Sequence, residues 1–264
     1  MDLLDELLAV AMRLADDAAN LLLEGLDVPR TSVGTKSSST DMVTEVDRAS
    51  EQLIVAGLRA ARPDDALLGE EGTTSAGTSG VRWVIDPLDG TTNFLYALPG
   101  FAVSIGAEVD GEPAVGVVHD PLHGDVFTAV RGRGAHRNGR TLHVREPEEL
   151  RDALVATGFA YDPERRRRQA AVLTEVLPRV RDIRRVGAAA VDLCSVACGR
   201  VDAFYERGLG PWDFAAGALV AVEAGAIVGD LEGGPPSGGF VLAAPPGLFE
   251  PLRALLEASG AGNA

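Results

Sequence analysis

One stretch constrains this chain more than any other: Trp83-Val84-Ile85-Asp86-Pro87-Leu88-Asp89-Gly90-Thr91-Thr92-Asn93-Phe94. The apolar run from Val81 to Ile85 reads as a short buried strand. Asp86-Pro87 is expected to end it, because proline donates no ladder hydrogen bond and holds the residue before it extended. Two carboxylates, Asp86 and Asp89, then fall three residues apart in a turn. Gly90-Thr91-Thr92 follows, a small-residue segment whose backbone N–H groups can face an anion. Acidic oxygens beside amide donors make a place where hard cations and a phosphate share one site.

The rest of the composition narrows what such a site can bind. The 264 residues carry 39 Asp and Glu against 24 Lys and Arg, a formal charge of −15. A chain this acidic repels nucleic acid and anionic membrane unless a local basic patch intervenes. It also repels an anionic substrate, so a phosphate ester requires bound cations to reverse the local field. Met1-Asp2-Leu3-Leu4-Asp5-Glu6 is acidic where a signal peptide is basic. No apolar run approaches the roughly 20 residues of a membrane span. These features read as a soluble, cytoplasmic chain with no membrane or nucleic-acid partner. Cys194 and Cys198, four apart, read as buried core residues of one helix face. His119, His123, His136 and His143 show no metal-ligand spacing and read as surface or strand-end residues.

Apolar periodicity over residues 2–24 predicts an amphipathic helix ending near Gly25. Residues 28–41 are rich in Ser, Thr, Pro and Gly and read as a loop, with Lys36 as the cation of a lid over an anionic site. A second helix runs from about Val46 to Ala61, with Thr44 as N-cap, Asp47 as the acid of a capping box, and Pro63 beyond its end. Ala66 to Leu68 is a strand delivering Gly69-Glu70-Glu71-Gly72, and Thr73 to Gly80 reads as flexible. An antiparallel meander follows: Ala102–Val109 and Pro113–His119 around the hairpin signal Asp110-Gly111, then Asp125–Val130, then Thr141–Val144 after Asn138-Gly139. Asp162-Pro163 starts a third helix, on which Arg165 to Arg168 read as a solvated face. Ile183–Val186 is a strand, Gly187 opens a small-residue helix to Cys198, and Val201–Tyr205 is a strand ending at Glu206. Asp213 occupies an apparent N-cap before a buried helix from Phe214 to Ala224, and Phe240–Ala243 and Gly247–Ala258 are a last strand and helix. The mixture fits layered α/β or α+β packing in one domain, with subdomains of about 1–145 and 146–264.

Each acid has a structural explanation when taken singly. Together, Glu70, Asp86, Asp89 and Asp213 each sit at a strand end or helix start beside glycine or proline, with no competing His/Cys set. Such oxygens suit Mg²⁺. On the stretch from Trp83 to Phe94, on Trp212-Asp213-Phe214-Ala215-Ala216-Gly217 running to Glu223-Ala224-Gly225, and on Gly69-Glu70-Glu71 and Asp41 to Asp47, the chain resembles the inositol monophosphatase family of lithium-sensitive, metal-dependent sugar phosphatases. The resemblance covers roughly residues 5 to 230.

That resemblance implies an αβαβα sandwich of the inositol monophosphatase and fructose bisphosphatase type, usually a homodimer, hydrolysing a phosphate monoester of a polyol or sugar with two or three Mg²⁺. It implies that Glu70 and Asp86, with the Leu88 carbonyl, bind one metal, that Asp86, Asp89 and Asp213 bind a second, and that a weaker third lies near Glu70. Thr91 and Asp47 would polarise the attacking water, Gly90 and Thr91 amides would hold the phosphate, and Gly187, Ala188, Ala189 and Glu206 would face the alcohol. The chain departs at Ala188, where many members carry a hydroxyl, and at Phe159, where some carry a small polar residue. Arg207 beside Glu206 could favour a second anionic group. Thr92, where histidinol-phosphate phosphatases carry lysine, favours inositol- or sugar-type substrates. Histidinol phosphate, fructose 1,6-bisphosphate and nucleotide 3′-phosphates are the alternatives, and an RNA- or protein-binding regulatory role, resting on Arg165–Arg168, is the alternative of another class.

Overall fold

The structure is a computed structural model. It describes residues 2–26, 33–35 and 42–264, with the backbone alone described for 33–35 and 42–44. In chain order the helices are α1 (Leu3–Leu26), α2 (Glu45–Ala61), α3 (Thr91–Leu95), α4 (Pro163–Val176), α5 (Ala189–Ala197), α6 (Pro211–Glu223) and α7 (Pro246–Ala258). The strands of the first half are β1 (Val33–Thr35), β2 (Met42–Thr44), β3 (Ala66–Gly69), β4 (Thr74–Ser75), β5 (Val81–Asp89), β6 (Ala102–Val109), β7 (Glu112–Asp120), β8 (Asp125–Val130), β9 (Ala135–Arg137) and β10 (Arg140–Thr141). Those of the second half are β11 (Leu154–Thr157), β12 (Asp182–Arg184), β13 (Ala203–Glu206), β14 (Ile227–Gly229) and β15 (Val241–Ala244). Among the described residues, no helix is long and apolar enough to cross a membrane.

Two sheets carry the fold. The larger runs β10-β9-β8-β7-β6-β5-β3-β4 and the smaller β12-β11-β13-β15-β14. The two-residue period of each strand sends alternate side chains to opposite faces. In the larger sheet Val103, Ile105, Val115 and Val117 pack with Leu7 and Leu14 of α1 and Ile54 and Leu58 of α2. Ala102, Val118 and Phe127 face the other way, onto Val191 of α5 and Leu219 and Val220 of α6. In the smaller sheet Phe204, Val241 and Ala243 meet that same helix pair through Leu193, Val196 and Ala221. Ala203, Tyr205 and Leu242 pack outward on Val172 and Val176 of α4 and Leu248, Leu252 and Leu256 of α7. The order is therefore α1/α2, large sheet, α5/α6, small sheet, α4/α7: the layered αβαβα sandwich expected from sequence.

The central helix layer lies close to the large sheet because glycines face it. Gly106 and Gly116 are cross-strand partners on β6 and β7. A Cβ at Gly116 would lie 2.7 Å from the Ala216 carbonyl oxygen of α6, and one at Gly106 3.1 Å from the Ala215 Cβ.

Several expectations are corrected. α1 runs through Gly25 to Leu26. Residues 33–35, read as part of a loop, pair antiparallel with 42–44, while Lys36 and the rest of the proposed lid lie outside the described residues. Thr73 to Gly80, read as flexible, is tied down: Thr73 O accepts from Gly69 N, and Asp64 O from Thr78 N. β4, β9, β11 and β14 went unread, all of them four residues or fewer. Of the two cysteines read as buried, Cys194 is, and burial pushes its thiol well up from the ordinary range, but Cys198 is only half-buried.

Candidate functional site

β5 does not stop at Asp86. It continues through Pro87 to Asp89, with the ladder pairing Asp86 to Ser104 and Asp89 to Ala102 and skipping the two residues between. Proline is tolerated because this is a bulge, where no ladder donor is needed. The bulge is held from both sides. Asp86 Oδ1 accepts from Leu88 N at 3.0 Å, and Ser50 Oγ of α2 donates to the Pro87 carbonyl at 2.9 Å. Parallel pairing of β3 on β5 then delivers the next acid: Glu70 N donates to Ile85 O at 3.1 Å, setting Glu70 beside Asp86.

Gly90 follows at φ 87°, a left-handed conformation that favours glycine, and a side chain there would run into the Gly100 carbonyl. The chain turns into the five-residue helix α3, so Thr91 begins a helix and not an open turn. Thr91 Oγ1 lies 3.1 Å from Asp47 Oδ1 and 3.2 Å from the Leu88 carbonyl. Asp47 is fully buried on α2, behind Thr91. Asn93 Nδ2 donates to Gly100 O at 2.6 Å and to Val186 O at 2.9 Å, tying this turn to the segment before α5.

The second half of the chain closes the site. The Ala190 N–H in the first turn of α5 donates to Asp89 Oδ2 at 2.7 Å. Asp213 is not the N-cap of α6. Gly210 is, and Asp213, three residues on, accepts from Gly210 N at 2.6 Å. The result is a cavity of about 420 Å³ lined by Glu70, Asp86, Leu88, Asp89, Gly90, Thr91, Gly187, Ala189, Glu206 and Asp213, together with Phe159, Tyr161, Arg165, Arg185, Arg207 and Trp212. The volume lies within the range of about 300–1,000 Å³ usual for small-molecule sites. Ala188 is buried at the N-cap of α5 and does not line it.

Electrostatically the acid wall is strained. Burial first, then repulsion from Glu70, Asp89 and Asp213, pushes the Asp86 carboxyl well above the usual range. Asp89 is pushed the same way by burial and Asp213, against the opposing Ala190 N–H bond. Like charges packed this way need a compensating cation or retained protons. The donor set is all oxygen, which fits a hard divalent cation. Among the described residues, no three His, Cys, Asp or Glu side chains close around a common point as a metal cage. The four acids share a wall, with single oxygens of Asp86, Asp89 and Asp213 turned to backbone amides.

Residues that went unread at the site include Glu51, Arg165 and Arg185. Glu51 is buried and accepts from Glu71 N at 2.8 Å, Thr73 N at 3.1 Å and Thr73 Oγ1 at 2.7 Å, so it anchors the loop that carries Glu70. The signal was present: Asp47 and Glu51 are four apart on the apolar face of α2, where an acid is out of place. Arg165 was read with Arg166–Arg168 as a solvated face. Those three are exposed, but Arg165 is half-buried and lines the cavity.

Comparison with known proteins agrees with this geometry. The inositol monophosphatase family model matches residues 3–261. An inositol-1-monophosphatase of Mycobacterium bovis is 47% identical over 238 residues, spanning 86% of this chain and 81% of the relative. A protein of Pasteurella multocida named Nus factor SuhB is 42% identical over 247 residues, 92% of each chain. The crystal structure of the extragenic suppressor protein SuhB from Bartonella henselae superposes with a TM-score of 0.91 at 37% identity, covering 95% of this chain and 98% of that one. A family match over residues 3–261, relatives 42% and 47% identical over most of their length, and the same fold at 37% identity show that the chain belongs to the inositol monophosphatase family.

Proposed function

We propose that the protein is a Mg²⁺-dependent phosphomonoesterase that hydrolyses inositol monophosphate or a similar polyol or sugar phosphate to the free alcohol and phosphate, as a homodimer. The observation that carries this reading is the convergence of Glu70, Asp86, Asp89, Asp213 and Thr91 on one cavity, with Asp47 buried behind Thr91 as its partner. The M. bovis relative's name points to the same substrate.

Glu70, Asp86, Asp89, Asp213 and the Leu88 carbonyl would hold two or three Mg²⁺. Bound there, the cations supply charge against the phosphate oxygens and acidify water. The chain's own groups then position the reaction. The Thr91 hydroxyl, its proton directed to the buried Asp47, keeps a lone pair for a water hydrogen, and Asp47 stands ready to take up the proton. The Gly90 and Thr91 amides at the start of α3 suit the phosphate oxygens. Gly187, Ala189 and Glu206 line the wall where the alcohol would lie, and Ala188 sets the turn behind them. Direct in-line attack needs no covalent nucleophile, and catalysis of this kind is mainly positioning and electrostatics.

A panel of phosphate esters assayed for phosphate release with Mg²⁺ tests the reading. Inositol 1-phosphate should be turned over, and Asp89→Asn should abolish turnover while the fold persists. If histidinol phosphate or a nucleotide 3′-phosphate far outranks inositol 1-phosphate, the substrate assignment fails. The P. multocida relative's name also supports a second, regulatory role, with Arg166–Arg168 as its exposed basic face. Loss of salt-sensitive RNA retention on replacing those three arginines is the outcome that role requires.

A further inference from the structure

One wall of the cavity is built from the ends of two parallel strands. β11 and β13 pair in register, with Thr157 opposite Tyr205. Gly158 and Phe159, just after β11, and Glu206 and Arg207, at the end of β13, line the cavity. The Glu206 carboxyl lies directly on Gly158, where a Cβ would overlap both of its oxygens. A shift of either strand end therefore disturbs the other.

A distant segment backs this wall from behind. Gly260, at φ 74°, turns the chain back after α7, and Ala261–Asn263 form a single 3-10 turn. Asn263 N donates to Gly260 O at 3.1 Å and Ala264 N to Ala261 O at 3.2 Å. Ala261 and Ala264 are buried in the outer core with Val155, Val172 and Tyr205, while Gly262 and Asn263 are exposed. They border a void of about 20 Å³ that Gly158, Phe159, Glu206 and Arg207 also line. The same four residues thus face the active cavity on one side and residues 261–264 on the other.

Arg207 makes the tie across the wall. Its Nη1 donates to the Ala264 carbonyl at 2.6 Å. Among the described residues no carboxylate pairs with it. Its charged neighbour is instead another arginine: after burial, Arg207 weighs most against protonation of Arg165. A guanidinium crowded by like charge and held by one carbonyl moves when that carbonyl is removed. The family match ends at residue 261, so the Ala264 tie lies beyond the matched span.

We infer that residues 261–264 are a positioning segment of the active site: through Arg207 they fix the wall that bears Glu206, and so set the affinity for the alcohol part of the substrate without touching it. The inference rests on the phosphatase reading and adds to it a segment outside the cavity.

The test deletes residues 262–264, keeping the buried Ala261, and combines the deletion with Arg207→Met in a double-mutant cycle. Inositol 1-phosphate hydrolysis at saturating Mg²⁺ gives kcat and KM. Inhibition by inorganic phosphate, which carries no alcohol part, gives Ki. The deletion is expected to raise KM about tenfold, the scale of one charge-assisted hydrogen bond, with kcat within about twofold and phosphate Ki unchanged. Its effect on KM should vanish in the Arg207→Met background, because both changes remove the same tie. Arg207→Lys, which keeps a donor, should hold KM nearer wild type than Arg207→Met does. A general loosening of the structure would move kcat, KM and Ki together. An unchanged KM in the deletion, a parallel loss in all three constants, or effects of the deletion and Arg207→Met that simply multiply overturns the inference. Should the deletion fail to fold, the Arg207 variants decide: KM unmoved by Met, or no better in Lys than in Met, overturns it. No hydrolysis of any ester by the wild type would instead defeat the phosphatase reading itself, and the inference with it.

Discussion

Replacing Gly116 with alanine tests how the fold positions the site. The added Cβ would lie 2.7 Å from the Ala216 carbonyl oxygen and 3.1 Å from the Ala216 Cα. Both atoms are backbone of α6, so no side chain can rotate away, and the helix or the strand must move by several tenths of an ångström. The Gly116 backbone itself does not require glycine. With free space, alanine would gain about 0.4–1 kcal/mol by restricting the unfolded chain. Overpacking against backbone costs about 1–3 kcal/mol and should win. A net loss of roughly 1–2 kcal/mol lowers Tm by about 2–8 °C in a domain of this size. α6 carries Asp213 in its first turn, so the same displacement should cut Mg²⁺-dependent kcat/KM by about ten- to a hundredfold, as misplacements near 1 Å do. Urea unfolding and steady-state phosphate release read the two effects. A variant as stable as wild type within about 0.5 kcal/mol and equally active would show that the glycine pair does not set the approach of α6.

Three further outcomes follow from named contacts. Thr91→Ala should lower kcat by about 10²–10⁴-fold with little change in KM, because it removes the group that orients water without touching the acids, and Thr91→Ser should restore most of it. Glu206 is raised from the usual 4.5 to about 8, first by burial and then by Asp213. Between those values the folded state holds a proton that the unfolded state has lost, so stability declines as pH rises from about 4.5 to about 8. Glu206→Gln in the metal-free protein should therefore gain stability at pH 8 relative to pH 5, by up to about 4 kcal/mol, read by denaturant melts at both pH values. Asp65→Ala should cost about 2–4 kcal/mol in the same melts, because Asp65 accepts from Trp83 Nε1 at 2.9 Å and Ser79 Oγ at 2.6 Å and pairs with Arg62 at 2.9 Å.

The acids were legible in sequence because each sits where chain direction changes. Asp89 closes β5 beside Gly90, Asp86 precedes Pro87 at the bulge within that strand, and Glu70 follows Gly69 at the end of β3, so a neighbouring glycine or proline flags all three. Layered packing was legible too, since two-residue and 3.6-residue periods mark which faces must be covered, while the αβαβα order came with the family resemblance. What escaped was set by contacts between distant segments. That Pro87 lies within a strand depends on β6 opposite, whose ladder skips it. Asp213 was misplaced at the cap because Gly210, without a side chain, carries no capping signal. Arg165 looked like its three neighbours in sequence, and only the packing of α4 beside the loop after β13 turns it toward the cavity. Glu51 carried a signal that went unread, an acid on the apolar face of α2, whose meaning depends on the loop at Glu71 and Thr73 that it anchors.

The central claim is that Glu70, Asp86, Asp89 and Asp213 form a divalent-cation site beside a phosphate held near Thr91. A crystal of the full chain grown with Mn²⁺ and inorganic phosphate measures this directly through the anomalous signal of the metal. The expected result is two or more Mn²⁺ peaks within ligand distance, about 2.0–2.3 Å, of those four carboxylates, with phosphate oxygens near the Gly90 and Thr91 amides. Ordered carboxylates with no anomalous peak at saturating Mn²⁺, or peaks elsewhere on the molecule alone, would contradict it.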